Sequence, residues 1–280
     1  MSKIGIIGGS GLYQMEGLER LERVSLFTPF GSPSDNFITG VLQGIEVVFL
    51  PRHGKGHHIS PSEVNYRANI FGMKKLGVHA IVSVSACGSL KEEIKPMDFL
   101  VPDQFVDWTK GRASSFFTGG MVAHVAMAEP FSSEIRSVLI KCGQDLGLTI
   151  HDRGTYFNME GPQFSTKAES NLYRSWGMDI IGMTNATEAK LAREAEIAYA
   201  TLAAVTDYDC WHPTHESVTV EQVLDYLGKN VQNAKNILKA AIPEIAKVQR
   251  FSAQDALKTA VVTSMDVVPE NKRKELEFLK

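Results

Sequence analysis

The chain has 280 residues, 44% of them hydrophobic and 22% charged, a balance that supplies one large core and excludes a disordered or low-complexity protein. A formal net charge of −3 with no block of Lys and Arg leaves no footprint for nucleic acid or an anionic membrane surface. The opening Lys3-Ile4-Gly5-Ile6-Ile7-Gly8 lacks the pattern of a secretory signal and no apolar run is long enough to span a bilayer, so a cytoplasmic address is expected.

Short apolar, β-branched segments alternate with segments of helical period along the whole chain, which predicts a single α/β domain over residues 1–280 built on a mostly parallel sheet. Lys3–Ile7 reads as the first strand and runs into Gly8-Gly9-Ser10-Gly11. Glycines there remove side-chain bulk and permit positive φ, so backbone N–H groups and the Ser10 hydroxyl can approach an anion. The turn lacks the G-x-G-x-x-G spacing of a dinucleotide site and the lysine of a P-loop, and a plain strand-exit turn fits it equally well.

Phe37–Leu42 and Ile45–Leu50 read as the next strands, and the second delivers Pro51-Arg52-His53-Gly54 at its carboxyl end, where open α/β sheets keep their ligands. The planar fork of Arg52 suits phosphate oxygens. A surface Arg-His pair is the plain alternative, and a zinc reading of His53, His57 and His58 lacks an acidic or thiol ligand at helical spacing. Ser60-Pro61-Ser62 then signals a helix over Val64–Lys75. The strand Ala80–Ser85 ends in Ala86-Cys87-Gly88-Ser89, a second cluster of hydroxyl and amide donors. Cys87 is read as a packed thiol, since no neighbouring base is implied for a nucleophile. With Cys142 and Cys210 it forms neither a disulfide framework nor a metal motif.

After a strand at Phe99–Pro102, residues 101–130 show no strong period, and a loop of that length is usually functional or mobile. A helix over Ser132–Leu146 and a strand over Gly154–Asn158 follow, leading to Glu160-Gly161-Pro162-Gln163-Phe164-Ser165, where an aromatic ring suited to stacking on a base stands beside a hydroxyl; Phe is nonetheless more often core. A helix over Thr166–Ser175, the strand Asp179–Gly182 closing on Met183-Thr184, and a helix over Thr187–Ala195 come next. The strand Tyr199–Thr206 ends in Asp207-Tyr208-Asp209, two carboxylates able to accept from an amino group, one of which can hold and deliver a proton if its pKa is raised. An exposed acidic turn is the alternative. The helix Val220–Lys247 and a polar tail after Phe251, its charges read as a solvated face, complete the chain.

Seven motifs in this order, Gly5-Ile6-Ile7-Gly8-Gly9-Ser10-Gly11-Leu12, Thr28-Pro29-Phe30-Gly31, Arg52-His53-Gly54, Ala86-Cys87-Gly88-Ser89-Leu90, Met127-Ala128-Glu129-Pro130-Phe131, Glu160-Gly161-Pro162 and Thr206-Asp207-Tyr208-Asp209-Cys210-Trp211, closely resemble the purine nucleoside phosphorylase superfamily, in particular its trimeric 5′-methylthioadenosine phosphorylase branch. The resemblance runs from Ile4 to about Ile245 and implies a mixed sheet partly closed into a barrel and flanked by helices. It further implies that phosphate attacks the anomeric carbon of 5′-methylthioadenosine, giving adenine and 5-methylthioribose 1-phosphate without metal or organic cofactor. By resemblance, Ser10, Arg52, His53, Ser85 and Thr184 bind phosphate. Ala86, Phe164, Ser165, Asp207 and Asp209 surround the base, Asp207 assisting the leaving purine at N7, and Met183 contacts the ribose. Val220, Val223 and Leu224 line the 5′-pocket, which His124 of a neighbouring subunit completes in a homotrimer. An Asn usually stands at the position of Asp207 in the 6-oxopurine branch, so Asp207 implies adenine. His212-Pro213-Thr214-His215 replaces a more acidic stretch near the expected 5′-lid, where a histidine suits a 5′-hydroxyl and a methylthio group prefers an apolar wall.

Overall fold

The computed structural model describes residues 3–9, 11, 12, 14–213 and 220–279, with the side chains of 220–225 and 227 outside that description. Among the described residues, eleven strands share one mixed sheet: β1 Lys3–Gly8, β2 Leu18–Val24, β3 Phe37–Leu42, β4 Ile45–Pro51, β5 Val78–Ser89, β6 Phe99–Leu100, β7 Gln104–Asp107, β8 Ile150–His151, β9 Thr155–Asn158, β10 Ile180–Gly182 and β11 Ala198–Asp207. The main path runs β2-β3-β4-β1-β5-β10-β9-β7, and β11 branches from β5 to carry β6 and β8. Hydrogen bonds among the described strands do not return this path on itself, so the barrel expected from the resemblance is closed by packing at most.

The described residues form six α-helices: α1 Tyr66–Lys75, α2 Ser133–Asp145, α3 Lys167–Ser175, α4 Asn185–Glu194, α5 Val220–Ala246 and α6 Glu270–Glu275. The central strands divide their side chains between two helical layers with a period of two. Ile4, Ile6, Val47, Phe49, Ala80, Val82, Ala200 and Leu202 pack with Ile135 and Leu139 of α2 and Ile237, Leu238, Ala241 and Ile242 of α5. Ile7, Val48, Leu50, Ile81 and Tyr199 pack with Ile70 and Met73 of α1 and Leu191 and Ala192 of α4 on the other face. Burial on both faces explains why these strands read as nearly continuous apolar runs. No helix among the described residues is long and apolar enough to cross a membrane.

The β3–β4 hairpin closes through Gln43 and Gly44, both at positive φ (51° and 80°), the backbone a two-residue turn of primed type requires. The expected start of α1 is corrected: the cap is Asn65, whose side chain accepts from Ala68 N, rather than the Ser60-Pro61-Ser62 turn. α3 begins where expected, through a capping box between Thr166 and Glu169.

β2, β7 and β8 have no counterpart in the strands expected from sequence. β2, Leu-Glu-Arg-Leu-Glu-Arg-Val, has a charged and largely exposed interior and among the described strands pairs with β3 alone, as suits an edge strand. β7 lies inside the aperiodic stretch and takes its order from pairing with β9. The solvated C-terminal tail is also corrected. Leu276 and Leu279 are buried there, and Lys272, its side chain 5% exposed, pairs with Glu275 Oε1 at 2.5 Å.

Candidate active site

β1, β4, β5 and β11 run parallel, so their carboxyl ends lie along one edge of the sheet. β10 enters antiparallel to the end of β5, with Ile180 opposite Ser89 and Ile181 opposite Gly88, and so returns Met183 and Thr184 toward that edge. Five of the strand ends that carry candidate groups, those of β1, β4, β5, β10 and β11, are thereby drawn together by register.

Arg52 leaves β4 with its amide donating to Gly8 O at 3.0 Å, which ties the glycine turn to the arginine. Its buried guanidinium donates from Nε to Glu188 Oε1 at 2.5 Å, from Nη2 to Glu188 Oε2 at 3.0 Å and Ser83 Oγ at 2.5 Å, and from Nη1 to Val84 O at 3.2 Å. Burial alone would depress the guanidinium, but the Glu188 carboxylate more than offsets it and Arg52 stays charged. Of the five N–H groups of an arginine, one on Nη1 has no partner among the described residues. Tyr199 Oη donates to Glu188 Oε2 at 2.7 Å, and Ser83 Oγ donates to the same oxygen at 3.2 Å. Glu188, Ser83 and Tyr199 form a supporting shell that sequence reasoning missed. Its one signal was an acidic side chain on the apolar side of α4, between Ala186, Ala189, Leu191 and Ala192.

His53 is set by a hydrogen bond of 2.8 Å between Nδ1 and Ile59 O, in which the ring must be the donor, and it stacks on His57 with centroids 4.2 Å apart. Burial and then the charge of Arg52 lower its pKa to about 4. The ring is therefore neutral at pH 7, with Nε2 an acceptor. Thr184 stands at the N-cap of α4 without capping it, and its buried Oγ1 has no hydrogen-bond partner among the described residues. Such a hydroxyl needs a partner, and it lies at the positive end of a helix. Ser85 Oγ donates to Ala86 O at 3.2 Å, and both residues are half-buried. Ser10 lies outside the described residues.

At the other end of the site, β11 shifts register against β5 between Val205 and Asp207, so that Asp207 falls opposite Gly88. This bulge re-aims the carboxylate at the strand end. Asp207 accepts from Thr206 Oγ1 at 2.6 Å and from Asp209 N at 2.8 Å, yet burial dominates and raises its pKa to about 6. A Cβ at Gly88 would come within 2.8 Å of Asp207 Oδ1, so glycine makes room for the acid. Asp209 is buried at a positive φ of 50°, and burial raises its carboxyl as well. Cys210 Sγ donates to Ser165 O at 3.2 Å, joining this end to the Ser165 turn, while Phe164 leaves 44% of its surface exposed. Cys87 is buried and its thiol pushed well up by burial, consistent with a packed thiol.

Met183 is held from two sides: its carbonyl accepts from Arg112 Nη1 at 2.5 Å, and its Sδ lies where a Cβ on Gly161 would come within 2.5 Å. His124 stands exposed, its amide donating to Ala260 O at 2.8 Å. Val220, Val223 and Leu224 belong to α5 by backbone, but their side chains lie outside the described residues. Among the described residues, no three His, Cys, Asp or Glu side chains converge as a metal site.

Residues 3–243 match the family model described as the phosphorylase superfamily. The chain is 55% identical to the S-methyl-5′-thioadenosine phosphorylase of Thermosynechococcus vestitus over 99% of this chain and 98% of that one. It is 56% identical to that of a Synechocystis species over 99% and 86%. Among solved structures, a methylthioadenosine phosphorylase from an antarctic soil metagenomic library superposes with a TM-score of 0.95 at 50% identity, covering 100% of this chain and 99% of that one. The Schistosoma mansoni methylthioadenosine phosphorylase in complex with adenine gives 0.83 at 36% identity, covering 95% and 100%.

Proposed function

Because the chain belongs to the phosphorylase superfamily, in its S-methyl-5′-thioadenosine phosphorylase branch, we propose that it cleaves 5′-methylthioadenosine with phosphate to adenine and 5-methylthioribose 1-phosphate. The observation that carries the choice of base is Asp207. A carboxyl with its pKa raised to about 6 is mostly ionised at pH 7 yet takes up a proton far more readily than an ordinary aspartate, and that proton is what the purine needs at N7. The same side chain, once ionised, accepts from a 6-amino group.

In this reading the C1′–N9 bond breaks through a cation-like sugar while a phosphate oxygen forms the new bond to C1′. Asp207 passes its proton to N7, and the hydrogen phosphate, in becoming an ester, releases the proton that restores the acid. Phosphate sits among Arg52 Nη1, the Thr184 hydroxyl, the α4 N-terminus, Ser85, His53 and Ser10. Support comes from the spare N–H of Arg52 and the unpartnered buried Thr184 Oγ1, two donors that no other described residue uses. Ala86, Phe164, Ser165 and Asp209 border the base, Met183 the ribose, and Val220, Val223 and Leu224 the 5′-group. The working unit is proposed to be a homotrimer in which the exposed His124 serves a neighbouring site; light scattering tests the assembly.

The deciding experiment offers purified protein 5′-methylthioadenosine, adenosine, inosine and 5′-methylthioinosine, each with and without phosphate. Adenine release from 5′-methylthioadenosine that requires phosphate is expected. Equal release without phosphate means a hydrolase, and binding of nucleoside without turnover means a sensor; either result sinks the proposal.

A further inference from the structure

The longest irregular segment of the chain contributes one deeply held cation. Arg112, its side chain 3% exposed, donates from Nη1 to Met183 O at 2.5 Å and to Tyr66 Oη at 3.1 Å, from Nη2 to Glu160 O at 2.6 Å, and from Nε to Glu160 Oε1 at 3.0 Å. The Glu160 carboxylate also accepts from Ser62 Oγ and from Lys110 N. The guanidinium thus joins four segments: the loop that carries it, the start of α1, the turn after β9 and the end of β10. Its carbon lies 5.6 Å from the Tyr66 ring centre.

The acceptors indicate what the knot is for. One is the main-chain carbonyl of Met183, which fixes the peptide next to Thr184. Two belong to Glu160, whose neighbour Gly161 lies against the Met183 sulfur at a φ of +69°. Met183 is therefore clamped through its carbonyl by Arg112 and through its side chain by a turn that Arg112 also holds. The hydrogen bonds of Arg52 and His53 run elsewhere, to Glu188, Ser83, Val84 and Ile59. Thr184, joined to that peptide, is also held from its far side by α4, whose Glu188 amide donates to Thr184 O at 3.4 Å, so the clamp bears chiefly on the sugar half of the site.

We propose that Arg112 is a positioning residue for the nucleoside, acting by holding Met183 against the sugar; this rests on the reading of Met183 as the ribose contact. A guanidinium spreads five N–H groups over three nitrogens and so reaches acceptors set well apart, whereas the three N–H groups of an ammonium radiate from one nitrogen and cannot span all of them. A charged hydrogen bond lost from a buried site is costly, and here the cost falls on the geometry of the sugar wall.

The test compares wild type, Arg112→Lys and Glu160→Gln by steady-state kinetics with 5′-methylthioadenosine and phosphate varied independently. Arg112→Lys is expected to raise the KM for 5′-methylthioadenosine about tenfold or more and to leave the KM for phosphate within about twofold. Glu160→Gln keeps the charge of Arg112 and both main-chain contacts, and should raise the same KM by about threefold. If Arg112→Lys does not fold, Glu160→Gln alone decides. A lower kcat with both KM values unchanged marks a loss of folded protein and overturns the inference, as does an equal rise in both KM values. Wild-type protein that releases no adenine overturns the reading of the reaction instead.

Discussion

Arg52 and Glu188 form a two-bond ion pair in which neither side chain exposes more than 4% of its surface, so the strongest cation near the expected phosphate is already neutralised by the protein. A bound anion meets an aimed N–H group rather than a free charge. That arrangement favours direction over raw attraction, since a fully unpaired buried arginine would be very costly.

Truncating one member of this pair leaves the other charged and buried. Glu188→Ala should lower the unfolding free energy by about 3–5 kcal/mol, read from urea denaturation, and should weaken phosphate binding further than nucleoside binding. Tyr199→Phe removes one neutral donor to the same carboxylate and should cost about 1 kcal/mol. A loss under about 1 kcal/mol for Glu188→Ala would show that the pair is solvated or dispensable.

Asp207 carries a conflict between activity and stability. Its folded pKa of about 6 exceeds the ordinary 3.8 because burial disfavours the carboxylate, so the folded state binds the proton more tightly than the unfolded chain does. Stability therefore falls as pH rises from 3.8 through about 6 and stays lowered above that range. Asp207→Asn should be more stable than wild type at pH 7 by on the order of 1–2 kcal/mol, with the advantage gone at pH 4. The same variant should lose at least about a hundredfold in kcat/KM for 5′-methylthioadenosine while sparing inosine. Thermal unfolding at both pH values checks the first part, and equal losses on both nucleosides would refute the second.

His53 offers a lone pair, not a proton, at neutral pH, because Nδ1–H is engaged by Ile59 O and the ring titrates at about 4. The hydrogen between Nε2 and a bound hydrogen phosphate dianion then comes from the anion's own P–OH. His53→Ala should accordingly weaken phosphate binding at pH 7.5 without changing the number of protons exchanged on binding. Calorimetry in buffers of differing ionisation enthalpy measures that number for both proteins, and a proton uptake that His53→Ala abolishes would contradict this account.

Gly182 is required by its neighbour. A Cβ there would lie 1.7 Å from Tyr156 Oη and 2.5 Å from Cζ of a fully buried ring, on the strand that delivers Met183 and Thr184. Gly182→Ala should cost about 2–3 kcal/mol and weaken both substrates, a combination that denaturation and kinetics together detect. Tyr156→Phe in that background should return part of the stability, since the oxygen goes while the ring carbon still crowds.

The parts of the molecule legible in the sequence share one physical property. β1, β4, β5 and β11 are buried on both faces, so their apolar runs stand out, and each ends abruptly at the polar residues that make the site. Arg52, Thr184 and Asp207 could be singled out because they interrupt such runs. The pairings of Glu188 and Arg112 could not be read, since their partners lie 136 and 71 residues away and no local pattern encodes a pairing at that distance. β2 was invisible for a related reason: its order comes from hydrogen bonding to β3, while its side chains face water. The bulge before Asp207 is likewise a relation between two strands, absent from either one read alone.

β5 has twelve residues and borders β1, β11 and, at its far end, β10. Ser83, Ser85, Ala86 and Gly88 thus act as graduations on one ruler against which the other site segments are measured. Removing a single residue from its first half, remote from every ligand, would offset Ser85 from Thr184 and Gly88 from Asp207 while leaving each of them in the chain. Errors of alignment, more than errors of residue type, are what this site has least means to absorb.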